Sequence, residues 1–418
     1  MERTPADDRE LDRMRPVDEV RSIVLSYAAA LPVEPVPLAL ASGRTLAADL
    51  VAAADQPPFP AAIMDGFAVQ ADDGSPWREL IGEQMAGQVA APEVTPGTAV
   101  RITTGAPMPP GADAVVQVEA TDLSDDNHVI IHQDEIAAGL NVRPVGFDVR
   151  AGDVLLAAGT LLGPPEVGML AGEGQLPVMV TRRPRVSVLS TGDELVEPGQ
   201  PLGPGQIRDA NRFSLVAAIE AVGAEVVWSG KAPDERAPLR QLLVERLDDS
   251  DVVVTSGGVS MGELDLVKAL LPELTRVHSR RVFMKPGKPF NVATFGPDDR
   301  TLFFGLPGNP VSALACFELF VRPALLTMLG RAMIDRPRVP VLLAAGATPG
   351  DRPEYQRAVV RVGDDGRLVG ATTGVQASSR LASWVGANAL LLIPPGETPL
   401  APGSRVQALL LGAPPGTA

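Results

Sequence analysis

Only four lysines occur among the 36 basic residues of this chain: Lys231, Lys268, Lys285 and Lys288. Two of them fall together in Met284-Lys-Pro-Gly-Lys-Pro289. An ammonium is a compact point charge, whereas the arginine used almost everywhere else is a planar fork. Paired ammonium groups suit a small, highly charged anion. A second set of candidates is acidic: Asp65 in Met64-Asp-Gly-Phe67, Asp148 in Arg143-Pro-Val-Gly-Phe-Asp148, Glu194, Asp234 and the pair Glu263/Asp265. Each lies beside glycine or proline or at the end of an apolar run, where loops carry functional groups. Carboxylates near phosphates commonly hold Mg²⁺. Singly, each is equally an ordinary solvated loop acid or a helix cap. The third ingredient is three strand-to-helix turns, Thr191-Gly-Asp-Glu194, Ser256-Gly-Gly-Val-Ser260 and Leu306-Pro-Gly-Asn-Pro310. Free N–H groups at helix starts, approached closely across glycine, bind phosphates and oxyanions. In the third turn Asn309 reads as an N-cap and Pro310 as the first helical residue. A capped helix needs no ligand, but three such turns in one region point to a nucleotide-like site.

Other chemistries are disfavoured. His128, His132 and His278 are scattered without ligand spacing, so a histidine metal centre is not expected. Cys316 is the only cysteine, which excludes an intrachain disulfide; its apolar surroundings, Ala313 to Phe320, read as a buried structural thiol. A net charge of −15 argues against a nucleic-acid partner. The charge is uneven: residues 335–418 hold eight arginines, no lysine and six acids, a mildly basic module on an acidic body. No apolar run approaches the roughly 18 residues of a membrane span. Met1–Arg15 is polar and reads as a frayed cytoplasmic tail, not a signal sequence.

The elements that must position these groups alternate. Val17–Leu31 has helical spacing, with Val20, Ile23, Val24, Tyr27 and Leu31 on one face. Residues 52–141 contain short apolar runs such as Thr98–Thr103 and Ala114–Val118 broken by glycine and proline, a β-rich lobe inserted into a first domain formed by 1–51 and 142–181. Residues 182–334 alternate strands (Arg185–Ser190, Glu225–Trp228, Asp251–Thr255, Thr301–Phe304) with helices (Arg212–Val222, Pro238–Leu247, Val267–Leu271, Val311–Leu329). This predicts an α/β domain with a mostly parallel sheet and ligands at the strand ends. Residues 335–418 return to short strands (Val339–Leu343, Arg357–Arg361, Ala389–Ile393), a small C-terminal β domain.

Taken in order, Thr103-Thr-Gly-Ala-Pro107 with Gly111-Ala-Asp-Ala-Val115, Asn141-Val-Arg-Pro144, Thr191-Gly-Asp-Glu-Leu195, Gly205-Gln-Ile-Arg-Asp-Ala-Asn-Arg212, Ser256-Gly-Gly-Val-Ser260, Met284-Lys-Pro-Gly-Lys-Pro289 and Gly305-Leu-Pro-Gly-Asn-Pro-Val-Ser312 resemble the molybdopterin molybdenumtransferases, the MoeA family, which includes the gephyrin E domain. The series runs from the first helix to Ala389. The resemblance implies an elongated four-domain homodimer whose third domain is like that of the pterin adenylyltransferases, with the active site between subunits. It implies that adenylylated molybdopterin and molybdate give molybdenum cofactor and AMP, with Mg²⁺, and that the pterin adenylyltransferase is a candidate partner. By the same resemblance Asp65, Asp148, Glu194, Asp234 and Asp265 are the catalytic acids, with Glu194, Asp234 and Asp265 toward the metal. Thr104, Ser256, Gly257, Gly258, Ser260, Lys285, Lys288, Ser312, Arg352, Ser378 and Ser379 are substrate contacts, and Pro307 and Pro310 shape the anion loop.

Three positions depart from the family pattern: Phe67 where tyrosine is common, Ile63 where a small residue is usual, and Phe147 where an acid often precedes Asp148. They bear on hydrogen bonding around the acids, not on the acids themselves. Two alternatives stand beside the main reading. The pterin adenylyltransferases share the third-domain fold, but resemble one another around Gly-Gly-Thr-Gly, where this chain has Gly257-Gly-Val-Ser260. A non-catalytic scaffold of the gephyrin E type is the other. Molybdate and tungstate are too alike for the residues to separate.

Overall fold

The computed structural model describes residues 10–88, 91–124, 126–258 and 266–415. The predicted Met1–Arg15 tail, the Gly257–Ser260 turn and the Glu263/Asp265 pair therefore fall partly or wholly outside the described residues, Ser260 and Asp265 among them. Two compact units are present: residues 1–47, 158–163 and 177–418 in one, and residues 48–157 and 164–176 in the other.

The larger unit is built on a six-stranded sheet of β1 (Arg185–Ser190), β2 (Glu225–Lys231), β3 (Val252–Ser256), β4 (Arg276–Arg281), β5 (Pro289–Phe295) and β6 (Thr301–Leu306), in the order β2-β1-β3-β6-β5-β4. The first four in that order are parallel; β5 alone runs antiparallel, so that β4, paired antiparallel with β5, points the same way as the first four. β3 and β6 are buried at every position, as expected of strands covered by helices on both faces. The covering helices are Asn211–Val222, Arg236–Asp249, Leu266–Leu274 and Pro310–Met328. The hairpin β4–β5 is absent from the sequence expectation. Its first strand, Arg-Val-His-Ser-Arg-Arg, lies at the sheet edge and buries only Val277 and Ser279, so it carries no apolar run. The loop of this hairpin is the lysine-bearing segment.

The long helix differs from expectation in its interior. Regular α-turns over Pro310–Cys316 and Arg322–Met328 flank a π-turn at Phe317–Val321. Pro323 follows directly, and it has no N–H to give to the carbonyl one turn back. With 19 residues and a mean hydropathy of 1.5 this helix is long and apolar enough to cross a membrane, but 78% of that stretch is buried in the protein. It is a core helix. Phe320 stacks on Phe290 of β5 with ring centroids 4.5 Å apart. Val20 and Val24 of the helix Val17–Ser26 join the same core, as do Tyr355 and Leu390 from the C-terminal strands. That first helix stops at Ser26, not Leu31. Tyr27 turns aside to stack on His278, and Pro32 leads into a strand, Val33–Val36, paired with Val178–Thr181.

Five strands close a C-terminal barrel in the order Arg338–Leu343, Leu368–Thr372, Glu354–Val362, Ala389–Ile393 and Arg405–Leu410. Arg357, with no exposed surface, lies inside this unit. Its Nε donates to Ser383 Oγ at 3.0 Å and its Nη2 to the carbonyl of Ala377 at 3.4 Å, while Nη1 has no partner among the described residues. Burial opposes its charge and nearby Glu354 favours it.

The smaller unit has a six-stranded sheet ordered Ala114–Gln117, Gly66–Val69, Thr98–Ile102, Trp77–Gln84, His128–Ile131 and Thr121–Leu123, and a helix, Pro164–Gly172. Phe67 is buried in it, while Ile63 and Phe147 are exposed.

Candidate active site

Parallel strands deliver their C-terminal ends to one side of a sheet, so the loops after them converge. Here the loops after β1, β2, β3 and β6 line a cleft of about 700 Å³ with Asp193, Glu194, Asp234, Ser256, Gly257, Gly258, Asn309 and Pro310 on its walls. Gly257 and Gly258 have φ of +84° and +69°. A methyl group at either would lie 2.8 Å from an oxygen of Thr191, the Thr191 carbonyl for Gly257 and its hydroxyl for Gly258. The turn is thus closed tightly over the β1 loop, and a side chain at either position would push it open. Asn211, the first residue of its helix, fastens two of the loops together. Its Nδ2 donates to Ser256 Oγ and to the carbonyl of Gly308, both at 2.7 Å.

The acids in this cleft repel one another. Asp234 is held above the usual carboxylate range, chiefly by a hydrogen bond with Asp193, then by burial and by the Asp193 charge; Glu194 adds to the effect and Lys231 opposes it. The Lys231 ammonium itself is tied to the carbonyl of Leu195 at 2.9 Å. No cluster of three or more histidine, cysteine or acidic residues arranged for a metal occurs among the described residues. The arrangement is two carboxyl groups in contact with a third nearby, all hard oxygen donors, left open toward the cleft. Hard oxygen donors of this kind suit a cation such as Mg²⁺.

A second cleft, of about 620 Å³, is lined by Lys285, Lys288, Ser312, Arg352, Gln376 and Ser378. The Lys285 backbone is stitched to the barrel as if it were a further strand: its N–H donates to the Pro353 carbonyl at 2.9 Å, and Tyr355 N–H donates to its carbonyl at 2.8 Å. Its ammonium lies 3.3 Å from the carboxylate of buried Glu354. Arg352 makes a two-pronged pair with its neighbour Asp351, at 2.9 and 2.8 Å. That pair, with a smaller contribution from Lys288, holds the Asp351 carboxyl below its ordinary value. Behind the loop Cys316 is buried, its thiol pushed up by desolvation and donating to the Gly287 carbonyl at 3.6 Å.

The two clefts share a helix start. Pro310 lines the acidic cleft and Ser312 the basic one; Ser379 and Ser378 divide in the same way. The Asn309 side chain does not cap its own helix, contrary to the sequence expectation. It donates instead to Ser378 Oγ at 3.1 Å, while the Ser378 carbonyl accepts the Val311 N–H at 3.1 Å. The barrel loop supplies the cap that the asparagine was expected to give, so its side chain is free to reach across. Pro307 is buried at the end of β6.

In the smaller unit Asp65 and Thr104 are brought together: the Thr104 N–H and hydroxyl both donate to Asp65 Oδ1, at 2.7 and 2.8 Å, and lower the carboxyl's pKa. Asp148 accepts from Arg143 at 3.1 Å.

Family models match in chain order: the MoeA N-terminal region, domains I and II, over residues 15–174; a probable molybdopterin-binding domain over 187–327; and the MoeA C-terminal region, domain IV, over 341–411. Molybdopterin molybdenumtransferase 2 of Mycobacterium tuberculosis is 38% identical over 408 residues, 94% of this chain and 99% of that protein. This chain belongs to the MoeA family. Gephyrin of Dictyostelium discoideum is 35% identical over 96% of the chain, which spans 62% of gephyrin's length. The crystal structure of a molybdopterin biosynthesis MoeA protein from Pyrococcus horikoshii matches with a TM-score of 0.81 and 31% identity, covering 96% of this chain and all of that one. Sequence reasoning passed over Asp193 and Asn211, which line the acidic cleft, and Arg357, buried in the barrel. Asp193 and Asn211 stand inside motifs that were legible. Buried Arg357 has no sequence signal beyond its place in a strand.

Proposed function

We propose that this enzyme inserts molybdate into adenylylated molybdopterin, with Mg²⁺-dependent release of AMP, to give molybdenum cofactor. The observation that carries the reading is the pair of clefts of opposite character on either side of one helix start. The acidic, glycine-looped cleft suits an adenylate phosphate, and the basic cleft suits a tetrahedral dianion. Bound Mg²⁺ would neutralise phosphate charge as the anhydride-like bond breaks. Glu194, Asp193 and Asp234 would hold it, and the family resemblance assigns Asp265 to the same role. The N–H groups of the Gly257–Gly258 turn orient the phosphate, and Asn211 keeps that turn at a fixed distance from Gly308. Lys285, Lys288, Ser312, Arg352 and Ser378 receive the oxyanion. In this reading Arg352 turns from Asp351 to the anion. No side chain is assigned as a nucleophile, because charge neutralisation and positioning carry phosphoryl chemistry of this kind. Asp65 and Asp148 are kept as catalytic acids and Thr104 as a substrate contact on the family resemblance. The working form is a cytoplasmic homodimer that receives its substrate from the pterin adenylyltransferase.

Asn211→Ala removes both ties between the two loops, each contributing about 1 kcal/mol net, and should weaken AMP binding about tenfold in calorimetry with Mg²⁺ present. Unchanged binding would detach Asn211 from the site. The adenylyltransferase alternative is tested by incubating the purified protein with free molybdopterin and ATP. No ATP should be consumed; consumption would reverse the assignment.

A further inference from the structure

Every cation of the basic cleft except one already has a counter-charge. Arg352 is paired with Asp351, whose side chain is 70% exposed and can swing away. Lys285 is paired with Glu354, whose side chain is only 6% exposed and cannot. Lys288 makes no ion pair among the described residues. Glu354 is fixed from both sides: its backbone lies opposite Lys285 in a parallel bridge, and its strand continues to buried Arg357, which feels its charge. Any anion entering the cleft therefore meets a buried carboxylate behind one of its two lysines.

We propose that Glu354 limits the affinity of this cleft for anions: it is a fixed carboxylate that offsets the Lys285 charge, so that an oxyanion is retained by fit and hydrogen bonding, not by charge alone. The inference rests on the reading of the basic cleft as the oxyanion site. Its physical basis is a comparison of two effects. Loss of the Glu354 tether frees a lysine that is already 58% exposed, and exposed ion pairs contribute little. Loss of the carboxylate charge removes repulsion that a dianion feels twice over. The second effect is the larger, so removing Glu354 should strengthen anion binding. A cleft without this carboxylate would hold any dianion of similar shape, including the more abundant sulfate. Binding that is equally strong before and during transfer adds nothing to the rate of the step.

The test is calorimetry at low ionic strength with sodium molybdate and sodium sulfate as the probes. Glu354→Gln keeps the shape and should bind both anions about fivefold more tightly, with sulfate gaining at least as much as molybdate. Lys285→Ala leaves the carboxylate bare, so it should cost more affinity than Lys288→Ala, and Glu354→Gln in the Lys285→Ala background should restore part of the loss. A merely structural glutamate would give no such rescue. Equal or weaker binding by a folded Glu354→Gln protein overturns the proposal. If that variant does not fold, the lysine pair decides: a cost at Lys288 equal to or above that at Lys285 overturns it. Wild-type protein that binds neither anion would remove the oxyanion reading of the cleft together with this inference. Lysine-dependent binding with no effect of Glu354→Gln would remove the inference alone.

Discussion

Asp234→Asn should lower AMP release from adenylylated molybdopterin by about a hundredfold or more while raising the melting temperature. The two effects have one cause. The neighbouring Asp193, burial and the charge of Glu194 all disfavour the ionised form of Asp234 and hold its pKa above the ordinary value. Because the folded-state pKa is raised, the folded protein binds the proton more tightly than the unfolded chain does. Stability from this group is therefore present at low pH and is lost as pH rises from the ordinary aspartate value of 3.8 through the raised one. At neutral pH the pair works against the fold, and asparagine relieves it. The stability gained by the variant should shrink as pH falls into the acid range. Mg²⁺ should stabilise the wild type more than the variant, because it offsets the same repulsion. Thermal scans with and without Mg²⁺ at acid and neutral pH check all three points. A variant that is less stable at neutral pH, or that keeps normal AMP release, would mean that these acids are ordinary surface groups.

Gly258→Ala should be the most damaging of the conservative substitutions. At φ +69° a methyl group costs about 1 kcal/mol by conformation alone. It also meets Thr191 Oγ1 at 2.8 Å and Val267 Cγ2 at 3.0 Å, so the turn must shift away from the β1 loop. Shifts of about 1 Å in a positioning loop cost about a hundredfold in rate. Gly43 supplies the control. It has a similar φ of +75° and open space where the methyl would go. Gly43→Ala should lose about 1 kcal/mol in chemical denaturation and keep full AMP release. Equal activity in the two variants would show that the close approach at Gly258 has no role.

How much of this was legible beforehand depended on whether the controlling interaction was local. The strand-turn-helix units around Thr191, Ser256 and Leu306 were readable because buried parallel strands are apolar runs and their turns need glycine. The lysine pair was visible by composition, although its supports were not. Lys285 is placed by an edge hairpin with little apolar signal and by Glu354, distant in sequence. Asn309 was read as a cap from local chemistry, but a serine carbonyl from the barrel took that role. Two barrel strands, Leu368–Thr372 and Arg405–Leu410, escaped notice because closure depends on pairing with Arg338–Leu343, remote in the chain. Arg357 and Asn211 act through contacts that no spacing rule encodes. Helix Val17–Ser26 was read too long because helical spacing continued past Tyr27, where stacking on His278 and the approach to Pro32 end the helix.

The central claim, that one helix start joins an adenylate cleft to an oxyanion cleft, is tested most directly by following AMP release from adenylylated molybdopterin by the purified protein with Mg²⁺, with and without molybdate. AMP should appear with molybdate and Mg²⁺ together, and the product should activate a cofactor-free molybdoenzyme. Lys285→Ala should shift the molybdate dependence to higher concentrations, whereas Asp234→Asn should suppress release at any concentration. Release indifferent to molybdate, or no release under any condition, would contradict the account.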